Sequence, residues 1–287
     1  MMRYESPATT KEAVALLAKE KGPSFVLAGG TDLLVRMKMG TVEPALVVDI
    51  KRILVMNDIK VTSTGFRIGA AVSGATLSAH KAIGKAWPGV VEATALIGSD
   101  QIQGRATMVG NLCNASPAAD AVPAMIAAGA KVVVVGKDRR RTVAVEKIMT
   151  GPGSTSLEHG EIIEAVILPK PAKRTGDAYL RFTPRTEMDI AVVGVGISMT
   201  VVRGVVRSAR VCLGAVAPTP VLVPEAVKAL VGSKLDDDTM AKVAAACSAA
   251  CNPIDDKRAT AAYRIRVAGV MARRAAKIAY QRAGGAA

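Results

Sequence analysis

Apolar and polar positions alternate along the chain with two different periods, and this pattern predicts a mixture of helices and strands. Near the N-terminus, Thr9 and Glu12 have the spacing of a capping box, so a helix is expected to begin near Thr10. Short apolar runs bounded by breaking residues are typical of buried strands. The first part of the chain is therefore predicted to contain a helix over 10–20, a strand at SFVLA, a short helix at DLLVRMKMG ended by Gly40, and a strand over 45–50.

The middle of the chain continues this mixture. The apolar runs KVVVVG and TVAVEK are separated by a basic turn and predict an antiparallel hairpin. The other predicted elements are a strand at FRIGAAV, helices over 76–83 and 88–97, a glycine turn over 109–111, a helix beginning near Asp120, and a strand over 162–168.

Composition changes at the polar segment KPAKRTG, which is rich in residues that break helices and strands. The predicted domains are 1–173, with lobes of about 1–57 and 58–173, and 174–287. In the second domain, two long apolar runs flank Arg203-Gly204, which is a hairpin signal. Helices are predicted over 225–231, 237–250 and 260–282. The expected fold class is α+β.

The 287-residue chain is 50% hydrophobic, which suffices for two buried cores. It contains no apolar run of the roughly 18 residues that a membrane helix needs, and its N-terminus lacks the apolar core of a signal peptide. A cytoplasmic protein without a membrane span is therefore expected.

The formal net charge of +14 raises the question of nucleic-acid binding. The positive residues are scattered among 24 acidic ones, and aromatic residues, which would stack on bases, make up only 3% of the chain. Nucleic acid is therefore not an expected partner. Two basic segments leave alternatives open. The run Arg139–Arg141 is either a solvated hairpin tip or a docking surface for an anionic partner, and the helix over 260–282 either packs on its own domain or docks another subunit.

Metal-binding residues are scarce. The cysteines are Cys113, Cys212, Cys247 and Cys251, and none belongs to a CxxC pair. The histidines are His80 and His159, so neither a zinc site nor an iron–sulfur site is expected in this chain. Any metal chemistry is expected to belong to a partner.

The segment AGGTD, over 28–32, places a glycine pair between an apolar strand and a short helix. Backbone N–H groups that no side chain blocks can surround a diphosphate, and the start of a helix favours an anion. Taken alone, the segment favours an ordinary strand-to-helix turn. It fits neither the GxGxxG pattern of a Rossmann fold nor the phosphate loop of nucleotide triphosphatases.

A second segment, GSDQIQGRATMVGNLCNASPAADAVPAM, gives more information. It concentrates small and polar residues in a stretch that is too irregular for one helix and too polar for a buried strand. Buried polar groups need hydrogen-bond partners, so this composition indicates the lining of a ligand site. A long solvated loop is the alternative.

At this point the chain resembles the flavoprotein, or medium, subunit of the xanthine dehydrogenase and aerobic carbon monoxide dehydrogenase family. The segments that carry the resemblance are AGGTDLLVRMK, TMVGNLCNASPAADAVP, MDIAVVGV, LGAVAPTP and DDKRATAAYR. They occur in the order and at the spacings of the family, from residue 1 to about 283. The resemblance implies an FAD-binding domain of the vanillyl-alcohol-oxidase type with two lobes. A C-terminal domain with an antiparallel sheet and helices is implied to follow.

The resemblance also implies positions for the cofactor. The residues that would hold the diphosphate and the neighbouring ribityl or ribose groups are Val26, Leu27, Ala28, Gly29, Gly30, Thr31, Asp32, Leu33, Thr107, Val109, Gly110 and Asn111. Asp120 would bind a hydroxyl group of FAD. Those that would line or approach the flavin are Ile97, Gly98, Ile102, Ala106, Ile163 and, from the second domain, Arg181.

Two positions depart from the family pattern. Met108-Val109 stands where relatives usually have Ile or Val followed by Gly, so the side chain of Val109 is expected to narrow the pocket. Arg181 stands where relatives often have lysine, which would place a delocalised charge near the flavin. The cysteine-bearing insertion of the benzoyl-CoA reductase branch is not found, which disfavours that branch.

The implied function is electron transfer. A large partner subunit would carry the molybdenum cofactor, a small one would carry two-iron two-sulfur clusters, and FAD in this chain would pass electrons to NAD⁺ or another acceptor, in a dimer of heterotrimers. No residue here would act as acid, base or nucleophile on the substrate. Two alternatives are a self-sufficient flavin oxidase of the same fold, with FAD tethered to histidine or cysteine, and a non-catalytic anion-binding scaffold.

Overall fold

The structure, a computed structural model, describes residues 2–285 and contains helices and strands in both predicted domains. The helices are α1 (Thr10–Lys19), α2 (Leu33–Lys38), α3 (Gly74–Ser78), α4 (Lys81–Ala86), α5 (Pro88–Ala95), α6 (Asp100–Gln103), α7 (Met108–Asn114), α8 (Ala121–Ala127), α9 (Pro224–Leu230), α10 (Asp237–Ala249) and α11 (Ala261–Arg282). Short 3-10 helices span Leu54–Met56 and Val145–Lys147.

The strands are β1 (Arg3–Glu5), β2 (Ser24–Leu27), β3 (Leu46–Asp49), β4 (Ile59–Thr62), β5 (Gly65–Gly69), β6 (Lys131–Val135), β7 (Arg140–Ala144), β8 (Met149–Gly151), β9 (Ser154–Thr155), β10 (Ile162–Pro169), β11 (Thr175–Phe182), β12 (Val193–Val202), β13 (Val205–Gly214) and β14 (Val221–Leu222). Residues 2–173 are called the N-terminal region below, and residues 174–285 the C-terminal region.

The N-terminal region contains two principal sheets. A parallel sheet has the strand order β1-β3-β2, and an antiparallel sheet has the order β4-β5-β10-β6-β7. The helix α1 begins with the expected capping box, in which the Thr9 side chain accepts from the amide of Glu12. Its apolar side, Ala13, Val14 and Leu17, is buried in the core that also contains β3. Full burial of a side chain as large as Val14 or Leu17 stabilises the folded chain by about 1.5–3 kcal/mol.

The C-terminal region is an antiparallel sheet of order β11-β12-β13-β14 covered by helices. The expected hairpin joins β12 and β13 through Arg203 and Gly204, whose φ angles are 53° and 75°. Positive φ at both central residues gives a turn whose twist matches that of the strands. The helix α11 packs against β11, β12 and α10. The predicted α+β class, with an antiparallel sheet and helices at the C-terminal end, is confirmed.

Two apolar cores occupy the two regions, and they meet at β11. The core of the N-terminal region also includes Tyr179 of β11 and Cys212 of β13. Alternate residues of a strand point to opposite faces of its sheet. Accordingly Ala178, next to Tyr179, belongs to the core of the C-terminal region. The strand β11 therefore contributes to both cores.

Two helical expectations are corrected by the structure. The helix expected over 76–83 is two helices, α3 and α4, because His80 lies between them and its Nδ1 caps α4 by accepting from the amide of Ile83 at 3.3 Å. The glycine turn expected over 109–111 is instead the first part of α7. Gly110 lies in the first turn of this helix, and Thr107 before the helix supplies the cap.

The basic run Arg139–Arg141 is paired with acidic residues of its own region. Arg141 Nη2 lies 2.7 Å from Glu161 Oε2, and Arg140 Nη2 lies 2.6 Å from Glu164 Oε1. Both glutamates are buried. The hydrogen bonds from Arg141 lower the pKa of Glu161 to about 2. The run is therefore in part a set of ion pairs that links β7, across β6, to β10 and the residue before it.

The helix α11 is buried along one side, where Arg264 donates to the carbonyl oxygens of Val192 and Ala215. Packing on its own region is thus observed for this helix. No helix within residues 2–285 combines the length and apolar character needed to cross a membrane.

Candidate functional site

The two glycine-containing segments that the sequence singles out lie against each other. A Cβ atom at Gly29 would overlap the carbonyl oxygen of Arg105, and it would lie 3.0 Å from the Cα atom of Ala106. The absence of a side chain at this position is therefore what allows the strand β2 and its following turn to approach the backbone that leads into α7. Gly29 and Arg105, which are 76 positions apart in the sequence, thus form one backbone surface.

A cleft of about 380 Å³ opens at this contact, between the two sheets of the N-terminal region. The candidate residues that line it are Val26, Ala28, Gly29, Gly30, Thr31, Asp32, Leu33, Ile97, Ala106, Thr107, Val109, Gly110, Asn111 and Ile163. Five candidates lie outside the lining, namely Leu27, Gly98, Ile102, Asp120 and Arg181. The cleft thus brings together most of the residues that the family resemblance selects.

Local backbone geometry shapes both glycine segments. Gly30 has a φ of +80°, a conformation that L side chains rarely adopt. Thr107 precedes α7 in an extended conformation, and its Oγ1 accepts from the amide of Gly110 at 2.8 Å. Asn111 uses its side-chain oxygen to accept from the amide of Ala121 at 3.1 Å. The second segment is therefore held in place by two side chains that also line the cleft.

Asp32 stands at the N-cap position of α2 but does not cap the helix with its side chain. Instead, Asp32 Oδ1 accepts from Asn114 Nδ2 at 3.2 Å, which links the two glycine segments through their side chains. Desolvation in the cleft raises the pKa of Asp32, and the charge of Arg36 acts in the opposite direction.

Asp120 and Arg181 form a buried pair beside the cleft. Arg181 Nη1 donates to Asp120 Oδ2 at 2.9 Å and to the carbonyl oxygen of Leu96 at 2.8 Å. Tyr179 donates its hydroxyl hydrogen to Asp120 Oδ1 at 2.9 Å. Burial raises the pKa of Asp120 to about 6, although Arg181 and Tyr179 both act to lower it. The carboxylate is thus shared by two side chains of β11.

The wall between α5 and α7 is apolar. Ile97 lines the cleft directly after α5, and Ala106 lines it directly before Thr107. Gly98 has a φ of +68°, and it packs on Ile102 so closely that a Cβ atom would lie 2.6 Å from Ile102 Cγ2. Gly98 and Ile102 therefore support the wall from behind.

Sequence reasoning missed several lining residues. These are Ser24, Phe25, Arg36, Ile50, Cys113, Asn114, Thr155, Leu157, Glu161 and Ile162. Arg36 lies over the ring of Phe25, with its guanidinium carbon 5.9 Å from the ring centroid. Phe25 is one of three phenylalanines in the chain and follows the start of a strand that leads to the glycine pair, which was a usable signal. The 155–162 segment offered none, because only folding brings it to the cleft.

The cleft has the donor set that FAD requires. Residues Gly29–Asp32 and the first turn of α7 line one cleft, where backbone N–H groups would suit the oxygens of a diphosphate. Apolar side chains such as Ile97 and Ile163 provide a surface for a planar ring. The residues therefore fit a flavin dinucleotide.

A covalent link to FAD finds little support in the lining. His80 caps α4, and neither it nor His159 lines the cleft. Cys113 does line the cleft, but burial raises the pKa of its thiol to about 12, which disfavours a reactive thiolate. Within residues 2–285, all four cysteines are free thiols, and the same residues contain no group of three or more His, Cys, Asp or Glu that could hold a metal ion.

Comparison with known proteins covers the whole chain. A family model described as the FAD binding domain in molybdopterin dehydrogenase matches residues 1–171. A second, the CO dehydrogenase flavoprotein C-terminal domain, matches residues 178–279. The two matches together account for both regions of the structure.

Individual proteins show the same similarity. The carbon monoxide dehydrogenase medium chain of Afipia carboxidovorans is 33% identical, over 98% of this chain and 97% of the relative. The xanthine dehydrogenase FAD-binding subunit of Escherichia coli O157:H7 is 28% identical, over 98% and 97%. A solved structure of carbon monoxide dehydrogenase from Hydrogenophaga pseudoflava, which lacks the Mo-pyranopterin moiety of the molybdenum cofactor, superimposes with a TM-score of 0.94 at 32% identity. It covers 98% of each chain.

Proposed function

The chain belongs to the family of FAD-binding medium subunits of xanthine dehydrogenase and carbon monoxide dehydrogenase, and on this premise we propose that it carries electrons out of a molybdenum hydroxylase complex. It is an FAD-binding oxidoreductase subunit. The proposal concerns the route of the electrons, from iron–sulfur clusters of a small subunit through FAD to NAD⁺ or another acceptor.

The observation that carries the proposal is the contact between the two glycine segments at Gly29 and Arg105. It brings the two segments together in the lining of one cleft, which also contains apolar side chains such as Ile97 and Ile163. Such a cleft binds and orients a flavin dinucleotide, and it offers no nucleophile activated by a neighbouring base. Histidine, the commonest general base, is absent from its lining.

The roles of the lining follow from its chemistry. The segment Val26–Leu33 and the residues Thr107, Val109, Gly110 and Asn111 hold the diphosphate and the adjoining sugar or ribityl groups. Ile97, Ala106 and Ile163 pack near the ring systems, with Gly98 and Ile102 behind them. Asp120 and Arg181 stand at the edge of the cleft, where a hydroxyl group of the cofactor would join their hydrogen-bond network.

Bound FAD supplies the redox chemistry by taking up two electrons with their protons and releasing them to an acceptor, to NAD⁺ as a hydride. The chain's own contribution is to exclude water from the apolar wall and to fix the orientation of the ring. The Asp120–Arg181 pair adds a buried charge distribution near the cofactor, which would tune how readily electrons are accepted.

The partners in this proposal are a large subunit with the molybdenum cofactor and a small subunit with two-iron two-sulfur clusters, arranged as a dimer of heterotrimers. The names of the relatives support a complex of several subunits, because several relatives are medium chains or FAD subunits of dehydrogenases. We place the complex in the cytoplasm, where thiols such as the four free cysteines remain reduced. We place the boundary between the two domains at 173/174.

Purification of the native complex through a tag on this chain tests the proposal. The co-purifying chains are identified by mass, and molybdenum, iron and FAD are quantified. We expect a large and a small chain, with molybdenum and iron present. Addition of NADH to the isolated FAD-loaded chain should bleach the flavin absorbance if NAD⁺ is the acceptor. Recovery of this chain with FAD but without partner chains or metals would contradict the proposed complex.

A further inference from the structure

The helix α5 lies against the first strand of the C-terminal region so closely that its second residue must be glycine. A Cβ atom at Gly89 would lie 2.6 Å from Asp177 Oδ2 and 2.9 Å from the Cα atom of Ala178. Contacts shorter than 3 Å for a Cβ atom require the backbone to shift. The close approach of α5 to β11 is therefore built into the sequence, although the two elements are almost 90 residues apart.

The N-terminal end of α5 faces a buried carboxylate from the C-terminal region. Asp177 of β11 is 3% exposed, and the backbone amides of Gly89 and Val90 interact with its side chain. Pro88 begins the helix, so the amide of Gly89 lies in the first turn, where N–H groups lack the usual helical acceptor, while the amide of Val90 also donates to the carbonyl oxygen of Trp87 at 3.2 Å. A carboxylate in this place also complements the positive end of the helix dipole.

The middle and the C-terminal end of α5 are held by the same region. Arg282, the last residue of α11, binds both oxygens of Glu92 on α5, with Nη1 at 3.0 Å from Oε2. The same Nη1 donates to the carbonyl oxygen of Asp177 at 2.9 Å. At the other end, Arg181 of β11 donates to the carbonyl oxygen of Leu96. A carboxyl group thus meets the start of the helix and a cation meets its end.

The residue after Leu96 is Ile97, which lines the cleft. We propose that the C-terminal region positions the flavin-facing wall of the cleft through α5, and that Asp177 is the positioning residue at the start of that helix. This inference rests on the proposed function, because Ile97 matters only if the cleft holds the flavin.

The energetics of Asp177 support a role beyond packing. Its Oδ1 atom is buried without a hydrogen-bond partner, which costs free energy. Burial raises the pKa of Asp177 to about 7, against the opposing effects of the Gly89 amide and Arg282. A well-packed apolar residue would avoid this desolvation, but it would remove the acceptor that faces the Gly89 amide and so loosen the start of the helix. The carboxylate therefore fixes the helix at a cost in stability.

The test compares variants of the full chain loaded with FAD. Asp177→Leu removes the group that faces the α5 amides, and Asp177→Asn keeps an oxygen that can accept from them. Glu92→Ala loosens the middle of α5 and alters a partly exposed side chain, so this variant should fold in any case. Glu146→Gln is the matched control, because Glu146 pairs with Arg210 across the same two regions but away from α5.

We expect Asp177→Leu to weaken FAD binding by about tenfold and to change the visible circular dichroism of the bound flavin. Glu92→Ala should change the spectrum in the same sense by a smaller amount. Asp177→Asn should restore both affinity and spectrum, and Glu146→Gln should lower only the melting temperature.

Flavin spectra of Asp177→Leu and Glu92→Ala that match the wild-type spectrum would overturn the positioning role of Asp177. A spectral change in Glu146→Gln as large as that in Asp177→Leu would also overturn it. If Asp177→Leu does not fold, the flavin spectrum of Glu92→Ala is compared with that of Glu146→Gln, and a change in Glu92→Ala alone supports the positioning role. Failure of the wild-type chain itself to bind FAD would count against the proposed function, so the two failures are distinguishable.

Discussion

Gly29 shows how one residue without a side chain determines the geometry of the cleft. Its Cα lies against the backbone of Arg105 and Ala106, where a methyl group would overlap a carbonyl oxygen. Because backbone atoms cannot move aside as a flexible side chain can, substitution there must separate the two glycine segments.

Replacement of Gly29 by alanine tests this contact. We expect Gly29→Ala to destabilise the chain by about 2 kcal/mol and to lower FAD affinity, because the overlapping atom belongs to the backbone. Gly84→Ala is the control, since a Cβ atom at Gly84 of α4 meets nothing within 4 Å. That variant should be slightly more stable than the wild type. Urea unfolding and FAD titration measure both effects, and equal FAD affinity in the two variants would refute the contact.

The ion pair of Glu161 makes the stability of the fold depend on pH. Its folded-state pKa of about 2 lies below the ordinary value of 4.5 because Arg141 donates to it. Its contribution to stability is therefore fully present above pH 4.5 and is lost as pH falls toward 2. Removal of the charge in Glu161→Gln should cost about 2 kcal/mol at pH 7.

The measurement is the free energy of unfolding of wild type and Glu161→Gln from pH 7 down to pH 3. The difference between them should shrink as the pH falls below 4.5. A constant difference over this range would show that the ion pair with Arg141 does not stabilise the fold.

At the scale of elements, most helices and strands could be predicted because their signals are local. The capping box at Thr9, the hairpin at Arg203-Gly204 and the long helix over 260–282 all appear as expected. The strand β11 was missed because its sequence, TGDAYLRF, carries polar residues on the side that faces the N-terminal region. These polar side chains acquire their hydrogen-bond partners only in the folded chain. In the sequence alone, polar residues at these positions are typical of a linker.

The second glycine segment shows the other kind of error. Its many small and polar residues indicated the lining of a ligand site, and the structure places several of them in one cleft, but they concealed the short helices α6 and α7. Intrinsic preference for helix is weak in such a stretch, and tertiary contacts and the cap at Thr107 decide the outcome. The residues that line the cleft were thus easier to predict than their backbone conformation.

The cap of α7 can be tested by one substitution. Thr107→Val keeps the shape of the side chain but removes the oxygen that accepts from the Gly110 amide, so we expect a loss of about 1 kcal/mol in stability and weaker FAD binding. Thr260→Val makes the same change at the cap of α11, outside the cleft. It should lower stability alone. Differential scanning calorimetry and FAD titration separate the effects, and unchanged FAD affinity in Thr107→Val would argue against a role of α7 in the cleft.

At the scale of the whole molecule, the two regions share the environment of the cleft. Arg181 comes from the C-terminal region, yet its guanidinium group pairs with Asp120 and reaches the carbonyl oxygen of Leu96 in the N-terminal region. The sequence could place Arg181 near the cofactor only through the family resemblance. The contact itself depends on how β11 docks, which no local pattern encodes.

Arg181→Met tests this junction. We expect a loss of about 3 kcal/mol, because Asp120 would remain buried without its counter-charge. The pKa of Asp120, already raised to about 6, should rise further when the charge that lowers it is removed. Stability of the variant should therefore fall more steeply than that of wild type as pH rises above 6. Chemical denaturation at several pH values measures this, and parallel pH profiles would contradict the pairing.

The central claim is that FAD lies in the cleft formed by the two glycine segments. Calorimetric titration of the flavin-free chain with FAD tests it most directly, in wild type, Gly110→Val and Gly84→Val. The two variants make the same substitution within a helix, but Gly110 lines the cleft and Gly84 does not. The account predicts one FAD per wild-type chain and per Gly84→Val chain, with binding lost or greatly weakened in Gly110→Val. Unchanged binding in Gly110→Val, with both variants folded, would contradict it.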